Sequence, residues 1–72
     1  PAAVANAILD GEQPVKVWRE QRGLTQEALA AKAEISKAYL CQIETRIRVG
    51  ALKTLQVLAD ALGVRLDDLR ED

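Results

Sequence analysis

Apolar residues recur along the chain at helical spacing, in short runs separated by polar or turn-forming positions. The clearest pattern lies in LTQEALAAKAEISKAYLCQIET, residues 24–45. Thr25 precedes a stripe of Leu29, Ala30 and Ala33. Ser36 precedes a second stripe of Leu40 and Ile43, with Ile35 just outside it. A Ser or Thr directly ahead of an apolar-periodic run satisfies orphan amides at a helix start, so both starts are well marked. Upstream, AAVANAIL predicts a short helix over Ala3–Leu9, stopped by Asp10-Gly11. Pro14 opens a second helix through VKVWREQR, with Gly23 as its C-terminal cap. Downstream, RIRVG predicts a loop. ALKTLQVLADALG then predicts a longer helix with Leu52, Leu55, Leu58, Ala59 and Leu62 on one face, closed by Gly63. Leu66 and Leu69 allow a last helical turn before an acidic end. The expected fold is all-α, a compact bundle of about five helices in one domain over 1–72, with 1–13 as an N-terminal helical extension.

Only Glu34 and Ile35 separate the first central stripe from the next cap. Helices joined so tightly cross steeply. That makes residues 25–45 a helix-turn-helix unit, whose second helix is shaped for a DNA major groove.

Composition narrows this reading. Nearly half the residues are apolar, with one Trp, one Tyr and no Phe, which suits close-packed short helices better than strands. A single cysteine, Cys41, excludes an internal disulfide, and with no His neither a metal site nor a cofactor is expected. No signal-like or membrane-spanning run is present, so a cytoplasmic location and no membrane partner are expected. The chain begins at Pro1 rather than Met, as expected of a processed chain or a piece of a longer protein. Net charge is −1, but unevenly spread: residues 14–55 hold eight basic and four acidic side chains, while the flanks hold two and seven. A basic centre between acidic ends permits a phosphate-facing surface without demanding one. There is no glycine-rich phosphate loop, Cys41 has no evident base partner, and Ser36 and Thr25 are explained as caps. The chain is therefore not expected to be an enzyme.

WREQRGLTQEALAAKA, ISKAYLCQIET and LKTLQVLADALGV, in this order and spacing, resemble the Cro/repressor (xenobiotic-response-element) type of helix-turn-helix domain. They cover roughly residues 17–64. LDGEQPVKVWREQRGLTQ further resembles a bacterial subgroup of antitoxin-like regulators. Members often add an N-terminal toxin-binding segment; with none here, the chain looks like the DNA-binding part alone. The resemblance implies a lambda-repressor-like fold and sequence-specific binding of double-stranded DNA in transcription regulation. It also implies a homodimer formed near Leu62 to Leu69.

Matched residue by residue, the base-reading positions are Lys37, Ala38, Cys41 and Gln42. Lys37 can reach guanine O6/N7, Gln42 adenine N6/N7, and Ala38 a thymine methyl; the plainer alternative is that they are ordinary exposed helix residues. Phosphate contacts fall to Gln26, Ser36, Tyr39, Arg46, Arg48 and Lys53. Ser36 can cap its helix and contact phosphate alike; against the others stand a ring covering the core edge at Tyr39 and, for Arg46, Arg48 and Lys53, a solvated charged loop. Arg19 and Glu44 are implied as a partly buried structural ion pair, and Trp18 as core.

The pattern also departs from the family. Glu34 stands where the turn normally has Gly, a left-handed position. Cys41 replaces a small polar residue. The loop TRIRVGA stands for one more like TGKRKGS, putting Arg46 in place of a capping Gly, Ile47 and Val49 in place of residues that are often basic, and Ala51 in place of a helix-capping Ser. Glu34, Cys41, Ile47, Val49 and Ala51 thus outline an alternative surface, in which the recognition face has diverged or been redesigned for protein contact. Its partner is then a second copy, a toxin or a designed target. The plainer alternative is ordinary divergence, with Ile47 or Val49 tucked under the loop.

Overall fold

A computed structural model describes residues 1–71. Five α-helices and a 3-10 turn follow one another: α1 (Ala2–Leu9), α2 (Pro14–Gln21), α3 (Gln26–Ala33), α4 (Lys37–Glu44), α5 (Leu52–Leu62) and the turn Leu66–Asp68. No strand occurs among the described residues. α1 begins one residue earlier than its pattern predicts.

Caps set most of the boundaries. Thr25 Oγ1 accepts from Ala28 N at 3.0 Å to start α3, and Ser36 Oγ accepts from Tyr39 N at 3.0 Å to start α4. α2 opens on Pro14, but the residue before it supplies the cap: Gln13 Oε1 accepts from Lys16 N at 3.0 Å. Between α3 and α4, Glu34 takes a left-handed conformation (φ 56°, ψ 41°), and Ile35 N donates back to Ala30 O at 3.0 Å. This left-handed residue, followed by an amide that bonds back two residues past the helix, ends α3 and redirects the chain into α4.

One apolar core unites α2 to α5: Val15 from α2, Leu29, Ala30 and Ala33 from α3, Leu40 and Ile43 from α4, Leu58, Ala59 and Leu62 from α5, joined by Leu69 from the C-terminal segment. α3 packs against both α4 and α5, while α1 lies on α2. Trp18 packs on the core edge, with the Arg22 guanidinium 5.1 Å from its ring centroid. Arg22 Nε donates to Leu62 O at 2.9 Å and so satisfies a carbonyl at the end of α5.

Leu52 departs from the face predicted for it. It is exposed, Leu55 is half-buried, and Leu58 and Leu62 are fully enclosed. α5 enters the core only with its C-terminal two-thirds, so periodicity places Leu52 on the right side of the helix but beyond the edge of what that helix covers.

Candidate nucleic-acid interface

Burial along α4 alternates with the helical repeat. Leu40, Ile43 and Glu44 point inward; Lys37, Ala38 and Cys41 are exposed, and Gln42 is half-buried. The spacing i, i+1, i+4, i+5 puts the last four on one outward face. Lys37 Nζ lies 3.2 Å from Glu27 Oε2 on α3, both side chains well exposed. The Glu27 carboxyl is held below its ordinary range, first by a hydrogen bond from its own backbone amide at the start of α3 and then by Lys37.

What fixes the angle of this face lies behind it. Glu44, the last residue of α4, has a side chain only 2% exposed. Its carboxylate accepts from Arg19 Nε (2.8 Å) and Nη2 (3.0 Å), and from Gln26 Nε2 (3.0 Å). Arg19 Nη1 donates to Leu24 O at 2.9 Å. A bidentate fork of this kind fixes orientation as well as distance. Three helices, α2, α3 and α4, therefore meet at a single carboxylate. The hydrogen bond to Glu44 raises the Arg19 pKa above its ordinary value. Gln26 keeps a second amide hydrogen for another acceptor.

Beyond α4 the chain turns at Arg46, also left-handed (φ 62°). Arg46 Nε donates to Glu71 Oε2 at 2.9 Å and Nη2 to Gly11 O at 2.8 Å, so this guanidinium is directed to the C-terminal segment and the α1–α2 turn. Arg48 and Lys53 are exposed, and neither side chain has a hydrogen-bond partner among the described residues. Ile47 and Val49 are not tucked under the loop; they are 73% and 94% exposed. Gly50 is buried instead, and a Cβ there would lie 3.1 Å from Leu55 Cδ2 and 3.3 Å from Ile43 Cδ1. Ala51 gives α5 no side-chain cap, but its amide donates to the Tyr39 hydroxyl at 3.4 Å. That hydroxyl retains a proton to donate outward.

Sequence reasoning missed Gln13, Gly50 and Glu71. Gln13 and Gly50 carry local signals: an amide side chain before an N1 proline, and a glycine between a β-branched residue and a helix start. Glu71 carries none, since its partners lie 25 and 58 residues away. Among the described residues, no group of three or more His, Cys, Asp and Glu side chains could hold a metal ion. Nor, among the described residues, is any helix long and apolar enough to cross a membrane.

Two capped helices joined by a short left-handed turn, the second showing an outward face and anchored from behind, make the arrangement of a helix-turn-helix domain. The family model described as "Helix-turn-helix" matches residues 15–69. The chain belongs to this Cro/repressor-type helix-turn-helix family. It is similar to the immunity repressor protein of Bacillus phage phi105, with 43% identity over 54 residues, which is 75% of this chain and 38% of that protein. The chain thus spans well under half the length of that relative. No solved structure matches it.

Proposed function

We propose that this chain binds duplex DNA sequence-specifically as the DNA-reading domain of a transcriptional repressor, acting as a homodimer. The outward face of α4, held from behind by the Arg19–Glu44 fork, carries this reading. Inserted in a major groove, Lys37 and Gln42 offer donors, and in the case of Gln42 an acceptor, to base edges. Ala38 and Cys41 offer small surfaces that admit close approach. Phosphate contacts fall to the free amide hydrogen of Gln26, the Ser36 end of α4, the Tyr39 hydroxyl, Arg48 and Lys53. The start of α5, without a side-chain cap, adds backbone amides. The phage relative is an immunity repressor, which supports this reading.

Selection from a random duplex library, followed by fluorescence anisotropy on the enriched sequence, tests it. A two-fold symmetric site with half-sites about 10 base pairs apart is expected. Affinity is expected to fall steeply with salt, and Gln42→Ala to weaken binding about 5- to 150-fold at that site, equivalent to about 1–3 kcal/mol. Enrichment of no sequence overturns the proposal.

The exposure of Ile47, Val49 and Leu52 favours a second reading, in which the α4–α5 loop, with Cys41 and Ala51 beside it and Glu34 at the far turn, binds protein. The partner is then a second copy or, in an antitoxin-like setting, a toxin. Sedimentation across concentration separates the readings: self-association lost on Val49→Asp, with weak DNA affinity, supports the second.

A further inference from the structure

We infer that Arg46 is a positioning residue that clasps the loop leaving α4 to the α1–α2 turn and the C-terminal segment, holding Arg48 in place for DNA without itself touching phosphate. The inference rests on the DNA-binding reading above. Arg46 occupies a left-handed position (φ 62°), with its amide donating to Ile43 O at 3.1 Å; Gly would make this turn with less strain. The side chain standing there joins two segments remote in sequence. Its guanidinium bonds Glu71 Oε2 and the Gly11 carbonyl, while Glu71 Oε1 accepts from Gln13 Nε2 at 3.4 Å. Gln13 Oε1 in turn caps α2. A line of bonds thus runs from the start of α2, through the C-terminal segment, to the exit of the recognition helix.

Charge supports the same assignment. A carboxylate 2.8 Å from Nη2 compensates the Arg46 charge, whereas Arg48, two residues on, has no side-chain partner among the described residues. A cation committed to a carboxylate is a poor phosphate grip; the uncompensated one beside it is a good one. The amide of Arg48, which donates to Gln42 O at 3.1 Å, reports directly on the loop that the clasp holds.

The two roles for Arg46 give opposite signs for Glu71→Gln. If Arg46 gripped phosphate, removing Glu71 would free it and tighten DNA binding. If Arg46 positions the loop, the same change loosens the clasp and weakens binding. Anisotropy over a salt series, on the duplex enriched from the random library, compares the unmodified chain with Glu71→Gln, Arg46→Gln and the double variant. Both single changes are expected to weaken binding about 2- to 5-fold, as suits an exposed ion pair. The double variant is expected to be no weaker than either, and the salt slope to be unchanged. Tighter binding by Glu71→Gln, or a slope reduced by about 0.9 in Arg46→Gln, overturns the inference. Amide exchange without DNA provides an independent arm: Arg48 N–H is expected to exchange about 2- to 5-fold faster in either single variant. Unchanged exchange there overturns the clasp. Faster exchange in a chain that binds no duplex supports the clasp and overturns the DNA reading instead.

Discussion

Replacing Glu44 by Gln is the most searching perturbation of this fold, because it leaves size and shape nearly unchanged and alters one charge. The native carboxylate accepts from Arg19 Nε, Arg19 Nη2 and Gln26 Nε2. In the variant, one of the two oxygens becomes an amide that can only donate, set against donors on Arg19. The guanidinium, in a side chain 11% exposed, keeps Leu24 O and little access to water. Breaking one side of a buried pair costs about 3–5 kcal/mol, because the surviving charge is left uncompensated. A 72-residue domain has a total stability of roughly 4–11 kcal/mol. The variant is therefore expected to melt at least about 12 °C lower, taking roughly 4 °C per kcal/mol for a domain of this size. Thermal unfolding followed by circular dichroism, with urea titration for the free energy, measures it. The double change Arg19→Met with Glu44→Leu is expected to recover most of the loss, since no lone charge remains. A single-variant loss below about 1 kcal/mol, the range of exposed pairs, would refute the reasoning and return the Arg19–Glu44 contact to the surface.

Glu27→Gln releases Lys37 from its ion pair and removes a negative charge near the proposed phosphate path, so duplex affinity in anisotropy is expected to rise about 2- to 5-fold. Glu34→Gly relieves a left-handed residue; after subtracting the extra flexibility of the unfolded chain, a gain of up to about 1 kcal/mol is expected in urea denaturation. Ala51→Ser supplies the cap that α5 lacks and is expected to add about 1 kcal/mol, read as a melting temperature roughly 4–8 °C higher. The Tyr39 hydroxyl bonds the backbone at residue 51, so that contact survives the change.

How much of this was legible in the chain depends on how local each cause is. Thr25 and Ser36 act over three residues, and Pro14 and Gly63 act on their own backbone, so the helix starts and the end of α5 could be read directly. Family membership, carried by the ordered motifs between Trp18 and Val64, agrees with the match over residues 15–69. Leu52 misled because periodicity gives the side of a helix on which a residue stands, not how far the neighbouring helices extend. Arg46 could be seen as an unusual occupant of a turn, but its partners Gly11 and Glu71 are brought to it only by the way α1, α2 and the C-terminal segment close around the core. No spacing rule reaches across 25 or 35 residues. The candidate interface divides the same way. Helical repeat places Lys37, Ala38, Cys41 and Gln42 together, while the Tyr39 hydroxyl over the start of α5 is a tertiary contact that spacing cannot reveal.

Two residues with side chains, Glu34 and Arg46, occupy left-handed joints at the entrance and exit of α4. Neither belongs to the outward face between them. The helix proposed to read DNA is thus mounted between two joints whose strain is set by the residue that occupies each of them. Exchanging Glu34 for Gly or Asn eases the entrance joint and alters no side chain of the outward face, whereas exchanging Arg46 eases the exit joint and also dissolves its bonds to Gly11 and Glu71. For selection or for an engineer, robustness at position 34 and the proposed target choice at 37, 38, 41 and 42 are then separate dials, while position 46 turns both stability and the setting of the loop.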